Sequence, residues 1–249
     1  MNKNYSFYKM KINRHKKVGE IVSENIKAAH VFKKHNIDFC CGGGKEIHKA
    51  CKQNKIDYSK IKKELLAVND VRKKYDYDSW DLNRLIDHIV DFHHKYVNES
   101  IIQIREYGKK VSKVHGHHYK EVIKIEKAFN ELDNELINHM NKEEILLFPY
   151  IKRLNDAKND IEIEKNLVFR SVINPINMME YEHKYASQIV KKIKKLSSNY
   201  KAPTESCNTH KAFYSKLEEF EKDLFIHIHL ENNILHPKAI NLERKLKYQ

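Results

Sequence analysis

The stretch HMNKEEILLFP, His139 to Pro149, returns 88 residues later (139 to 227) as HIHLENNILHP, His227 to Pro237. Both copies run His, then Glu four residues on, then an aliphatic pair, then Pro ten residues after the His. Residues i and i+4 share one face of an α-helix, so the phrase sets an imidazole and a carboxylate side by side among core-type residues. Leu132 and Leu136 precede the first His by seven and three residues, and Phe220 and Leu224 precede the second by the same steps, which carries that face upstream. Another pair keeps nearly the same period. FHHKYV around His94 and YEHKYA around His183 share His-Lys-Tyr, 89 residues apart (94 to 183). The repeating unit is therefore a pair of helices, one carrying a single His and the next carrying His and Glu.

Two such hairpins predict an antiparallel four-helix bundle over residues 73–249, with the repeated His and Glu side chains pointing inward about an approximate two-fold axis. Upstream, Val18 to Leu66 reads as a small helical domain within residues 1–72. It holds the stretch VGEIVSENIKAAHVFKKHN, a loop DFCCGGG, a second helix from Lys45 to Gln53 and a third near YSKIKKELLAV. NDVRKKYDYDSW, Asn69 to Trp80, loses apolar periodicity and reads as a linker.

Composition supports an all-α protein. With 6 Gly and 4 Pro in 249 residues, turn-rich strand architectures are disfavoured, whereas Lys, Glu, Leu and Ile recur at helical spacing throughout. No run of apolar residues is long enough to span a membrane, and MNKNYSFYKMKINRHKK lacks the apolar stretch of a secretory signal, so a cytoplasmic protein with no membrane association is expected. The net charge of +13 permits nucleic-acid binding. Its lysines are nevertheless interspersed with Glu and Asp along the whole chain, the pattern of a solvated helical exterior, and nucleic acid is not an expected partner. Cys40, Cys41, Cys51 and Cys207 make neither a paired secreted framework nor a CxxC zinc knuckle, which fits a reducing compartment.

Spacing alone says little about chemistry. From 16 His and 22 Glu, chance yields about 1.4 His-x-x-x-Glu pairs, and three occur, the third being His117 with Glu121. What separates two of them is the matched frame around each. A single His on an apolar helix face is usually a hydrogen-bonded core residue. Two carboxylates buried with nothing to pair them cost several kcal/mol, and a cation between them removes that cost. Two carboxylates related by the repeat would bridge a metal pair about 3.5 to 4 Å apart. Imidazole with carboxylate favours iron, manganese or zinc over calcium or magnesium.

The order His-x-x-x-Glu differs from the Glu-x-x-His of ferritin-like bundles and resembles the histidine-rich hemerythrin-like bundle. DFCCGGGKEIHKAC, ahead of DHIVDFHHKY, HMNKEEILLFP, MEYEHKY and HLENNILHP, resembles the repair-of-iron-centres family from about Val18 to Ile240. That resemblance implies a cytosolic protein that restores iron-sulfur clusters damaged by nitric oxide or peroxide, by supplying iron. It also implies two non-haem iron ions with an oxo or hydroxo bridge, and damaged iron-sulfur proteins as partners. The ligands carried over from the family are His94, His139 and Glu143 from the first hairpin and His183, His227 and Glu231 from the second. His115, in KVHGHHYK, matches a further family histidine, although its position in the second repeat falls near Thr204. His93 abuts His94 and competes for the same role, which the repeat step and the His-Lys-Tyr phrase award to His94. His236 reads as a helix-end residue.

Cys40 and Cys41 lie in a glycine-rich loop before a helix, near Lys33, Lys34 and Lys45, where a helix N-terminus and cations would lower a thiol pKa and favour reactive thiolates. Cys51 and Cys207 read as structural. Two alternatives use the same metal pair. One binds or senses dioxygen or nitric oxide, and the other is a nitric oxide reductase. The sequence also admits a homodimer.

Overall fold

The computed structural model describes residues 12–68, 76–157 and 171–247. The protein is all-α. Among the described residues the sole extended pairing is one antiparallel bridge between Lys17 and Glu46. No described helix is long and apolar enough to cross a membrane. The chain forms two compact units, Met1–Trp80 with His229–Ile234, and Asp81–Ile228 with Leu235–Gln249.

The first unit contains α1 (Val18–Glu24), α2 (Ala28–Lys34), α3 (Ile47–Gln53) and α4 (Tyr58–Ala67). Val18, Ile21, Val22, Phe32, Ile47, Ile61 and Leu65 form its buried core. The stretch VGEIVSENIKAAHVFKKHN is two helices, not one. Asn25 adopts an extended backbone, its side-chain oxygen accepts from the Lys27 amide, and its amide group donates to the Val68 carbonyl, so the chain turns there. Asp57 caps α4 by accepting from the Ser59 amide at 3.1 Å. Of the linker expected at Asn69 to Trp80, residues 69–75 lie outside the described set, and Tyr77–Ser79 form a single 3-10 turn with Tyr77 and Trp80 buried.

Asp38 organises the loop that carries the paired cysteines. Its Oδ1 accepts from the Cys40 amide at 3.2 Å and from the Gly42 amide at 3.0 Å. The Gly19 amide donates to the Gly43 carbonyl at 2.8 Å, and the Asn233 side-chain amide donates to the Cys40 carbonyl at 2.9 Å. A Cβ at Gly43 would overlap the Asn233 side chain and the Phe39 carbonyl. Because that carbonyl is backbone and cannot swing aside, Gly43→Ala is expected to destabilise this unit by about 2 kcal/mol, read as a lower urea midpoint. His229 packs here against Phe39 and Ser23, and burial pushes its pKa down to about 4, so the imidazole is neutral at physiological pH.

The bundle comprises the second unit together with the His229–Ile234 stretch, which is continuous with its last helix. Its first rod is α5 (Leu82–His88), a π turn (Ile89–His94) and α6 (Lys95–His115). The next is α7 (Lys120–Lys142), a π turn (Glu143–Leu147) and α8 (Phe148–Ala157). The third is α9 (Ile173–Leu196), and the last is α10 (Asn208–Leu230), a π turn (Glu231–Leu235) and α11 (His236–Lys247). Each rod buries a stripe at alternating steps of three and four residues. In α7 it runs through Val122, Ile125, Phe129, Leu132 and Leu136 and continues through His139 to Glu143. In α10 it runs through Phe213, Leu217, Phe220 and Leu224 to His227. In α9, Ile176, Met179, Ala186, Val190 and Ile193 flank His183. The metal-type side chains thus occupy core positions because they fall in register with the apolar ones.

Two of the π turns begin at the repeated Glu and end just before the residue preceding the repeated Pro. Proline has no amide hydrogen, and its ring crowds the carbonyl four residues back, so Pro149 and Pro237 break the regular ladder at Ile145 and Asn233. The wider π spacing accommodates that break, and such turns gather at functional sites. The first π turn, at Ile89–His94, has no such proline. Elsewhere the rods are tied by polar groups. Asp133 is fully buried and paired with Arg105, and Glu243 accepts from the Val172 amide at 2.7 Å and from the Tyr150 hydroxyl at 3.0 Å.

Candidate metal centre

Six of the seven expected metal residues converge. His94, Glu143, His227 and Glu231 form one group, and His139, Glu143, His183 and Glu231 form a second. Within each group one donor atom per residue lies within 4.8 Å of the others, and all six side chains are buried. Both groups use the same two carboxylates. Glu143 offers its two oxygens to different imidazoles, Oε2 to His94 Nε2 at 3.4 Å and Oε1 to His139 Nε2 at 3.3 Å. His183 Nε2 and His139 Nε2 lie 2.9 Å apart.

For two of the four rings the protonation follows from the partner on the far side. His94 Nδ1 donates to Glu144 Oε1 at 2.7 Å, and His139 Nδ1 donates to Glu182 Oε2 at 2.8 Å. Carboxylates accept, so Nδ1 carries the proton and Nε2 keeps a lone pair directed at the shared carboxylates. The His139 hydrogen bond, with help from Lys142, holds the Glu182 carboxyl below the usual carboxylate range. Converging imidazole lone pairs around two buried acids suit a cation and suit little else. A carboxylate that orients a ligating His commonly governs metal affinity by about 10- to 100-fold. Glu182→Ala is therefore expected to weaken metal binding by about that factor with the fold intact, as competition with a coloured chelator would read.

Glu144 and Glu182 were not anticipated from the sequence, because they sit one residue past Glu143 and one before His183, among ordinary surface acids. Two more histidines flank the centre. His93 donates through Nδ1 to Asp223 at 3.0 Å and stacks on His227, so it is His94 that joins the metal-type group. His236, read as a helix-end residue, is fully buried at the start of α11, stacks on His183, and through its hydrogen bond keeps Glu180 ionised at lower pH than usual.

His115 does not join the six. It ends α6, 21 residues past His94, which at about 1.5 Å per residue is roughly 30 Å along the helix. There its Nε2 lies 3.1 Å from Cys207 Sγ and its ring stacks on His210. The expectation of a lowered thiol pKa is corrected at Cys40. That thiol is buried and donates to Asp38, and its side-chain hydrogen bond with Cys41, its burial and the neighbouring negative charge push its pKa well above the ordinary value. Cys41 is half-buried, with the Asn232 side chain 3.9 Å from its sulfur.

Comparison with known sequences agrees with this geometry. Residues 85–239 match the hemerythrin HHE cation binding domain, and residues 14–69 match the ScdA N-terminal domain, a domain of unknown function. An iron-sulfur cluster repair protein, YtfE, from Shigella boydii is 32% identical over 227 residues, 91% of this chain and 97% of the relative. A probable iron-sulfur cluster repair protein from Haemophilus influenzae is 32% identical over 228 residues, 90% of this chain and 96% of the relative. This chain belongs to the iron-sulfur cluster repair protein family. Within that family the cation-binding region spans all six converging residues, and the paired cysteines fall in the ScdA N-terminal region.

Proposed function

We propose that this protein repairs iron-sulfur clusters damaged by nitrosative or oxidative stress by giving up iron held in the bundle. His94, His139, His183, His227, Glu143 and Glu231 would hold two iron ions, with Glu143 and Glu231 bridging them and an oxo or hydroxo bridge between. The supporting observation is the sharing of both carboxylates by two imidazole-bearing groups. Bound there, iron would be the cargo that repair delivers. The chain's own contribution is positional. Glu144 and Glu182 fix the imidazole tautomers, and the buried stripe above each ligand excludes bulk water. Two imidazoles and shared carboxylates would hold each ion more weakly than thiolate or sulfide does, so such a set could give iron up to a sulfur acceptor.

On this reading the cytosol is the compartment and damaged iron-sulfur proteins are the clients. The division into a cysteine-bearing domain, 1–72, and a bundle, 73–249, belongs to the same proposal, with Cys41 the more accessible of the paired thiols for engaging a client or iron. His115 stands outside the donor set, as its distance along α6 requires. The test mixes iron-loaded protein with a cluster protein first bleached by nitric oxide. Recovery of the client's cluster absorbance, matched by iron lost from the bundle, is expected. A gas carrier or sensor would release no iron, and a nitric oxide reductase would turn over with a donor and leave the client unrepaired.

A further inference from the structure

A second cluster of ligating side chains lies in the first unit. One donor atom each of His15, Glu46 and His48 lies within 4.8 Å of the others. We propose that these three residues form a mononuclear Zn2+ site, with water completing a tetrahedral shell. Two imidazoles, one carboxylate and water are a donor set that zinc accepts without any preferred d-electron geometry.

Backbone, rather than side-chain chance, brings the three together. The bridge between Lys17 and Glu46 lays the segment before α1 beside the start of α3, and the amides of Ile47 and His48 donate to the carbonyls of Lys16 and Arg14 at 2.9 and 3.2 Å. His48 Nδ1 donates to the Arg14 carbonyl at 2.8 Å, which anchors the ring, and lies 3.9 Å from Glu46 Oε2, so the ring stands beside the carboxylate with Nε2 left as its lone-pair nitrogen. His15 Nδ1 stands 3.2 Å from Glu46 Oε1, and the two imidazole rings meet edge to face with centroids 5.2 Å apart.

The neighbouring positive charge is largely committed elsewhere. Lys16 pairs with Glu24, Lys45 donates to Gln53, and Arg14 lies over the Tyr58 ring. Lys49 is the exception, with its Nζ 2.6 Å from Glu46 Oε2. It is mostly exposed, so it can swing into solvent at little cost and yield that oxygen to a cation. Bound zinc would fasten the Asn13–Lys17 segment to α3. The residues next to those segments carry the hydrogen bonds from the Val18 amide to the Lys45 carbonyl and from the Gly19 amide to the Gly43 carbonyl that frame the cysteine loop, so the ion would act as a clamp beside that loop.

The test counts Zn2+ bound to the full chain by equilibrium dialysis near neutral pH, in the wild type, His15→Ala and Glu46→Gln. Zinc entering the bundle does so equally in all three, so the difference reads the surface site alone. Wild type is expected to hold one Zn2+ more than His15→Ala, and Glu46→Gln to bind that extra ion at least tenfold more weakly. His15 is largely solvent-exposed, so its loss leaves the fold unchanged, which circular dichroism verifies. Equal zinc counts across the three proteins overturn the proposal. Failure of the bundle to take up iron would leave this difference unaltered, which separates the two readings.

Discussion

Glu231→Ala is expected to lower bound iron from about two ions per chain to fewer than one, measured by elemental analysis after desalting. Glu231 is fully buried and belongs to both four-residue groups, so one substitution removes a candidate ligand from each. It also removes one of the two negative charges that would offset a pair of cations. Glu143 would then stand alone between four imidazoles, and two divalent ions at close range would repel each other with half the compensation. Glu231→Gln should fare nearly as badly, because an amide keeps the volume and loses the charge. His115→Ala supplies the contrast. Its imidazole sits by Cys207 and His210, so iron content should be unaltered. Full iron occupancy in Glu231→Ala would sink the two-ion reading, and iron loss in His115→Ala would place a ligand where the helix geometry does not.

Removing the metal with a chelator is expected to lower the melting temperature by roughly 10 °C. With free iron at about a thousand times the dissociation constant, binding stabilises the folded state by about 4 kcal/mol. For a chain of this size each kcal/mol moves the midpoint by roughly 2 to 4 °C. The direction rests on burial. Without a cation, Glu143 and Glu231 place two acids beside imidazoles in a water-poor centre, and the unfolded chain hydrates all of them. Calorimetry on one preparation before and after chelation, with iron content verified, reads the shift. An unaltered midpoint after complete removal would mean that the bundle does not depend on a cation.

Much of this centre was legible in the sequence. His139, Glu143, His227 and Glu231 were marked by a duplicated frame, and the structure brings them together because that frame copies whole helical stripes, Leu132 and Leu136 included. His94 and His183 were marked by a shared tripeptide at nearly the same period. Glu144 and Glu182 were not legible. Their role depends on which side of a ring they reach across a helix interface, and no periodicity encodes that. The pKa of Cys40 departs from the sequence expectation for a related reason. Nearby lysines in the sequence suggest a cationic setting, whereas the folded loop buries the thiol against Asp38 and Cys41. The break at Asn25 is not legible because apolar spacing continues across it, and a side-chain hydrogen bond overrides that spacing. His115 matched a pattern, yet one helix cannot place residues 21 apart at a single point.

The π turns after Glu143 and Glu231 make chain length, more than residue chemistry, the fragile quantity in this molecule. Deleting one residue between Glu231 and Pro237 would spare every ligand, and unless the wide turn tightens to ordinary helical spacing and drives the Pro237 ring into the carbonyl four residues back, it would rotate all that follows by about 100°. Ala239 and Glu243 would then face outward, and Tyr150 would lose its acceptor. Natural variation in this segment should therefore run to substitutions and avoid gaps, and an engineer grafting the centre onto another helical scaffold would have to transplant the swollen turn along with the donors.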